Sequence, residues 1–330
     1  MATAHSGRAK AGEARTAGWR AGPGGQREGY AVTSVGLIGL GNMGMPMSKI
    51  LIDAGYEVLG YRRGDASDFE ALGGKAMASP RAVAEAADMI LCCIPTDAAL
   101  EQIVSGPDGI ASGSLSGKIF AELSTLSPDV KETQRQVVEA QGGTMLDGAI
   151  SGLPPMVVAR TAVYMLSGEE AAYETLRPVF DALTQKHFFM GHFGAAMKTK
   201  LCANMLVAAN IASTAETLAY GALMGLDQGK LIEALREGAG GSIQFTVRAA
   251  RMAQGDWDNV LATTALLVKD INMIAKTGAE VGAPMPILSN VRPFYETAIE
   301  NGFGEVDVAA VYTAFAEAAG LPLPQSKGKN

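Results

Sequence analysis

The chain has 330 residues, 48% apolar and 18% charged, with a net charge of −7 and no long basic block after the first thirty residues. That length suits about two domains, the composition excludes a disordered chain, and the acidic balance argues against nucleic acid as a partner. No apolar run reaches the roughly 18 residues that span a bilayer, so no membrane segment is expected.

Residues 1–32 stand apart as an extension rich in Gly, Ala and Arg. Its first thirty residues hold five basic and two acidic side chains and no apolar block. A secretory signal needs such a block, so the segment reads as a flexible extension, with an Arg-rich transit peptide as the alternative.

Val35-Gly36-Leu37-Ile38 predicts a short buried strand. The loop Gly39-Leu40-Gly41-Asn42-Met43-Gly44 follows, then a helix from about Met45 to Ala54 and a second strand over Tyr56–Tyr61. G-x-G-x-x-G in a strand–loop–helix–strand frame is a dinucleotide-binding fingerprint. Gly39 permits the tight turn, Gly41 lets backbone approach a pyrophosphate, and Gly44 lets the helix pack closely on the strand. The helix N-terminus then offers free N–H groups to the phosphates. An NAD enzyme usually carries an acid at the end of the second strand. Here Arg62 and Arg63 stand there, and two guanidiniums suit a ribose 2′-phosphate, which favours NADP(H) over NAD(H). The other reading of the arginines is a solvated pair, or one of them stacked on adenine.

Further strands are expected at 87–95, 118–123, 144–149, 162–167 and 186–190. The loop Ile94-Pro95-Thr96 leaves the carboxyl end of the first of these, where α/β sheets bind ligands. Ser124-Thr125 leaves the next, and Ser151-Gly152-Leu153 follows the third. Strands alternating with helical stretches predict a mostly parallel, doubly wound sheet over residues 33–194. After Gly194 the strand signals stop. Helical periods run through 196–224, 227–238, 245–253, 262–281 and 286–300. The fold class is therefore α/β, a Rossmann-type sheet followed by an all-helical domain at 195–318 and a tail at 319–330. A long apolar helix at 196–224 suggests a homodimer or homotetramer formed through the helical domain.

Cys92, Cys93 and Cys202 are odd in number and lie in apolar sequence, with Cys202 expected in the core of its helix. They read as thiols of a reducing, cytoplasmic setting. With the three histidines they show no metal-ligand spacing, so no metal is expected.

Lys200 and Asn204 share one helical face at i, i+4. On spacing alone they would be a solvated face. Behind the glycines Gly191 and Gly194, in a chain with a dinucleotide loop, they suggest a general acid/base for alcohol and carbonyl chemistry. Lys198 is the rival, but it lies on another face and has Cys202 rather than Asn at i+4.

These stretches resemble the β-hydroxyacid dehydrogenases, a family that includes 3-hydroxyisobutyrate dehydrogenase, semialdehyde reductases and 6-phosphogluconate dehydrogenase. The resemblance covers roughly residues 34–318 and rests on VGLIGLGNMGMPM, DGAISG, GHFGAAMKTKLCANM, and Lys269-Asp270 with Gly282 and Pro284. It implies hydride transfer between a nicotinamide cofactor and a short β-hydroxy acid or its semialdehyde, a small carboxylate substrate. It also implies that Lys200 is the acid/base, that Asn204 orients substrate and lysine, and that Ser151 and Gly152 hold the substrate carboxylate. Thr125 would sit near the nicotinamide ribose, and Lys269 would close over substrate or cofactor. Where the family reads Ser-Gly-Gly, this chain has Ser151-Gly152-Leu153 and then Pro154-Pro155, which puts a side chain beside the expected carboxylate site. Ala196 and Ala203 stand where the family prefers Gly and Asn. An imine reductase of the same fold is the alternative, although such enzymes typically replace the lysine with Asp or Tyr. A cofactor-binding sensor or scaffold without turnover is a further one.

Overall fold

The computed structural model describes residues 33–324, so the extension read in residues 1–32 and the last six residues lie outside it. The first half alternates strand and helix: β1 (Ser34–Ile38), α1 (Gly44–Asp53), β2 (Glu57–Tyr61), α2 (Ser67–Ala71), β3 (Lys75–Ala76), α3 (Pro80–Ala86), β4 (Met89–Cys92), α4 (Asp97–Ser105), β5 (Ile119–Glu122), α5 (Pro128–Ala140), β6 (Thr144–Ser151), α6 (Pro154–Val158), β7 (Val163–Ser167), α7 (Glu170–Leu183) and β8 (Lys186–Phe189). The strands form one sheet in the order β3-β2-β1-β4-β5-β6-β7-β8. Every neighbouring pair is parallel except β6 and β7, which run antiparallel with Ser151 opposite Val163.

β1, β4 and β5 are buried along their whole length. Val35, Leu37 and Leu91 join a core on one face of the sheet, and Ile38, Ile90 and Phe120 join another on the opposite face. Continuous apolar strands of this kind are those of a parallel sheet covered by helices on both sides.

The second half is helical: α8 (Ala195–Leu223), α9 (Gln228–Glu237), α10 (Ile243–Gln254), α11 (Thr264–Glu280), α12 (Pro286–Glu300) and α13 (Tyr312–Ala318). α8 is rich in strong helix formers and spans about 43 Å at 1.5 Å per residue. Its buried stripe, Leu201, Ala208, Ile211, Ala215 and Leu218, forms the core of the helical half with Ile271, Ile274, Tyr295 and Phe315. Its first turns pack on β6 and β7, so the axis of the helical domain is rooted in the sheet. Cys202 departs from the expectation of a core thiol. It lies on the exposed side of α8, because the buried stripe runs through Leu201 and Asn204, which leaves Cys202 between them turned outward.

Candidate active site

At the end of β1 the chain turns through Gly39 at φ +98°, where a Cβ would lie 2.0 Å from the Cys93 carbonyl oxygen. At Gly44 a Cβ would lie 2.0 Å from the Gly39 carbonyl oxygen, so only glycine lets α1 start so close to the strand. Gly41 differs from both, because a Cβ there would meet nothing within 4 Å. A side chain at Gly41 would fill the open space in front of the loop. α1 has no side-chain cap at Met43 and no acid in its first turn. Met45 N already donates to Gly41 O at 2.9 Å and Pro46 has no N–H, so what the cradle offers a dinucleotide pyrophosphate is the open backbone of the Gly41–Gly44 turn at the positive end of the helix.

The structure separates the two arginines at the end of β2. Arg63 is exposed. Arg62 is already committed: it donates to Leu40 O at 3.2 Å, to the Asp65 carbonyl and to both carboxylate oxygens of Asp68. Arg62 is thus ion-paired to Asp68 on α2, a partner that the sequence reading did not single out. The loop after β4 is set from two sides. Ile94 N donates to Ser124 Oγ at 2.7 Å, and Thr96 caps α4 by accepting from Ala99 N at 3.2 Å. Pro95 and Thr96 are exposed at the carboxyl edge of the sheet.

Lys200 and Asn204 lie on the sheet-proximal turns of α8, only 9% and 5% exposed, whereas Lys198 is exposed. Burial pulls the Lys200 ammonium down to about 8; Asp270 pulls it the other way, and Lys269 adds to the lowering. Asn204 Nδ2 donates to Asp270 Oδ2 at 2.6 Å. Lys269 Nζ lies 3.3 Å from Asp270 Oδ1 and donates to Thr125 O at 2.7 Å. One carboxylate on α11 thus holds Asn204 and Lys269, and Lys269 reaches the loop after β5. Lys200, Asn204, Lys269 and Thr125 are gathered where the helical half meets the carboxyl end of the sheet. Ser151, Gly152 and Leu153 are half-buried at the end of β6, with Leu153 preceding α6. Gly152 has no room for a side chain, since a Cβ would lie 2.9 Å from the Ala162 Cβ.

Beneath this group lies a buried polar cluster that motif reading did not find. Lys131 Nζ sits 2.7 Å from Glu122 Oε2 and 2.9 Å from Asp147 Oδ1, and donates to Gly148 O at 2.8 Å. The other oxygen of Asp147 accepts from Met197 N at 2.9 Å and from Ser167 Oγ at 3.0 Å, while Ser167 Oγ accepts from Ala196 N at 3.0 Å. Two strands thereby cap the N-terminus of α8, and the carboxylate faces the positive end of the helix dipole. Burial would depress the Lys131 ammonium, but the two carboxylates outweigh it and hold the pKa above its ordinary value. The available signal was a charge inside each of two apolar strands, Glu122 and Asp147.

A sequence profile of the NAD binding domain of 6-phosphogluconate dehydrogenase matches residues 34–191. A second, described as the NAD-binding of NADP-dependent 3-hydroxyisobutyrate dehydrogenase, matches residues 194–315. The chain is 30% identical to 2-hydroxy-3-oxopropionate reductase of Escherichia coli strain K12 over 282 residues, 85% of this chain and 96% of that one. The chain belongs to the β-hydroxyacid dehydrogenase family. It is an oxidoreductase of CH–OH groups that uses a nicotinamide cofactor. Among solved structures, 3-hydroxyisobutyrate dehydrogenase from Salmonella typhimurium superposes with a TM-score of 0.78 at 27% identity, over 85% of this chain and 99% of that one. An imine reductase from a Pseudomonas species shares the fold at a TM-score of 0.57 and 21% identity, over 86% and 99% of the two chains. Among the described residues, no helix is long and apolar enough to cross a membrane.

Proposed function

We propose that this β-hydroxyacid dehydrogenase moves a hydride between NADP(H) and a short β-hydroxy acid or its semialdehyde, with Lys200 as general acid/base. The observation that carries this reading is the buried Lys200 ammonium, held at about 8 at the junction of sheet and helices. A free lysine near 10.4 is almost wholly protonated at neutral pH, and a group near 8 can exchange its proton in both directions.

The nicotinamide supplies hydride acceptance or donation when bound. In oxidation, neutral Lys200 takes the hydroxyl proton onto Nζ as the C–H bond gives up its hydride and the carbonyl forms. In reduction, the ammonium returns that proton to the carbonyl oxygen. Asn204, fixed through Asp270, orients the substrate hydroxyl. Ser151 and the Gly152 N–H hold the carboxylate, which settles which carbon faces the nicotinamide. Leu153, at the position of the family's second glycine, narrows that end of the site and favours a substrate with an apolar substituent. Lys269 closes over the cofactor beside Thr125. The NADP(H) preference rests on Arg63, exposed at the end of β2, together with Arg62. The domains are taken as 33–194 for cofactor and 195–318 for substrate and self-association, in a cytoplasmic enzyme.

The test is an absorbance screen of short 3-hydroxy acids with NADP and NAD, and of glyoxylate and succinic semialdehyde with the reduced forms. NADP-linked turnover that Lys200→Ala abolishes is the expected result. Turnover of cyclic imines alone would replace this reading with that of an imine reductase.

A further inference from the structure

The stretch from the end of β2 into α2 carries two cations, Arg62 and Arg63, and two anions, Asp65 in the turn and Asp68 in the first turn of the helix. Asp65 is spent locally, accepting from Ser67 N at 3.0 Å and Ser67 Oγ at 2.7 Å. Asp68 lies along the guanidinium of Arg62, receiving from both terminal nitrogens, while its Oδ1 also accepts from Phe69 N at 2.8 Å. The same guanidinium donates to Leu40 O inside the glycine loop, so this ion pair sits where the end of β2 meets the pyrophosphate cradle. That junction is where Rossmann-type domains receive the adenosine ribose.

We propose that Asp68 sets how strongly this enzyme discriminates NADPH from NADH. Its carboxylate occupies the edge of Arg62 that a ribose 2′-phosphate would use. The proposal rests on the reading of Arg62 and Arg63 as the 2′-phosphate cations. A 2′-phosphate must take Arg62 from Asp68 or settle beside a carboxylate, and either route opposes a group of charge near −2. A ribose 2′-hydroxyl is neutral and meets no such opposition. Asp68 therefore weakens NADPH binding selectively and leaves the chain able to use NADH as well.

If the carboxylate served to hold Arg62 ready for phosphate, its loss would weaken NADPH. The pair is partly exposed, with Arg62 25% and Asp68 55% accessible, so a neutral replacement removes charge without opening the core.

The experiment is a fluorescence titration of the full chain with NADPH and with NADH, on wild type, Asp68→Asn and the double variant Arg62→Ala/Arg63→Ala. Asp68→Asn is expected to tighten NADPH about five- to tenfold while NADH moves less than about twofold, the scale of one carboxylate a few ångströms from a phosphate in a partly solvated site. A parallel change for both cofactors, or weaker NADPH binding, overturns the assignment. The double variant separates the two layers of the argument. If it loses NADPH while Asp68→Asn changes nothing, the Asp68 assignment alone falls. If it keeps the full NADPH affinity, the 2′-phosphate reading falls, and the Asp68 proposal falls with it.

Discussion

Lys200 and Asp270 oppose each other at the centre of the site. Burial lowers the lysine and raises the carboxyl, and each partly offsets the other. For Lys200 burial wins, and this has a consequence for stability. Its folded pKa of about 8 lies below its unfolded value near 10.4, so the unfolded chain binds the extra proton between those values. The penalty is present in full below pH 8 and is lost as pH rises through about 10.4. Lys200→Met should therefore raise stability at pH 7, by about 1–3 kcal/mol, and the gain should vanish above about pH 10.4. Denaturant midpoints of both proteins across that range check it, and a pH-independent difference would contradict the burial argument. This residue was singled out from its i, i+4 partner and its place after a glycine loop. Asp270, which holds Asn204 and Lys269 together, is not matched to Asn204 by any spacing, because the sequence does not show which two helices will meet. The engagement of Arg62 was hidden for the same reason, since Asp68 faces it only after α2 has folded back.

At the scale of elements, the start of α8 decides where Lys200 stands. Gly194 at φ +87° brings the chain into the helix, and Asp147 and Ser167 satisfy the N–H groups of Ala196 and Met197. Asp147 lies four residues before Ser151 on the same strand, so β6 positions both the helix of Lys200 and the loop expected to hold the substrate carboxylate. Lys131 is the one cation that the two buried carboxylates share. Lys131→Met leaves Glu122 and Asp147 buried without their cation and should cost about 3–5 kcal/mol in urea unfolding, less at acid pH as Glu122, whose pKa burial raises, takes up a proton. Loss of under about 1 kcal/mol at neutral pH would show that the triad contributes little. The strand and helix periods were legible from β1 through α12 wherever an element was apolar on both faces of a sheet or amphipathic. Three features were not. β3, only two residues long, is too short to show a period. The antiparallel turn of β7 leaves no trace in a strand's own residues. α13 was missed because Val308–Ala316 is buried on every side and so shows no helical period.

The whole molecule leaves one helix partly uncovered. Along α8, Leu206, Tyr220 and Leu223 are 65%, 62% and 60% exposed, and they lie with Cys202 and Ser213 on one face opposite the buried stripe. Glu216 shares that face, and the exposed apolar side chains spaced along it make it the surface that self-association through the helical domain would cover. Leu206→Glu with Tyr220→Glu should shift the mass by light scattering from oligomer to monomer. A mass unchanged by the pair of substitutions would place the contact elsewhere. The same helix carries Lys200 at its sheet end, so the monomeric variant should retain the cofactor site and lose activity only if pairing steadies α8.

Whether Lys200 moves the proton is decided by kcat/KM for oxidation measured against pH. With neutral Lys200 as the base, the rate should rise with pH and level off with a midpoint near 8. Lys200→Ala should fall by at least about a hundredfold and lose that limb of the profile. A variant that keeps the wild-type profile at reduced rate, or a wild-type profile flat from pH 6 to 10, would contradict the claim and move the proton to another group.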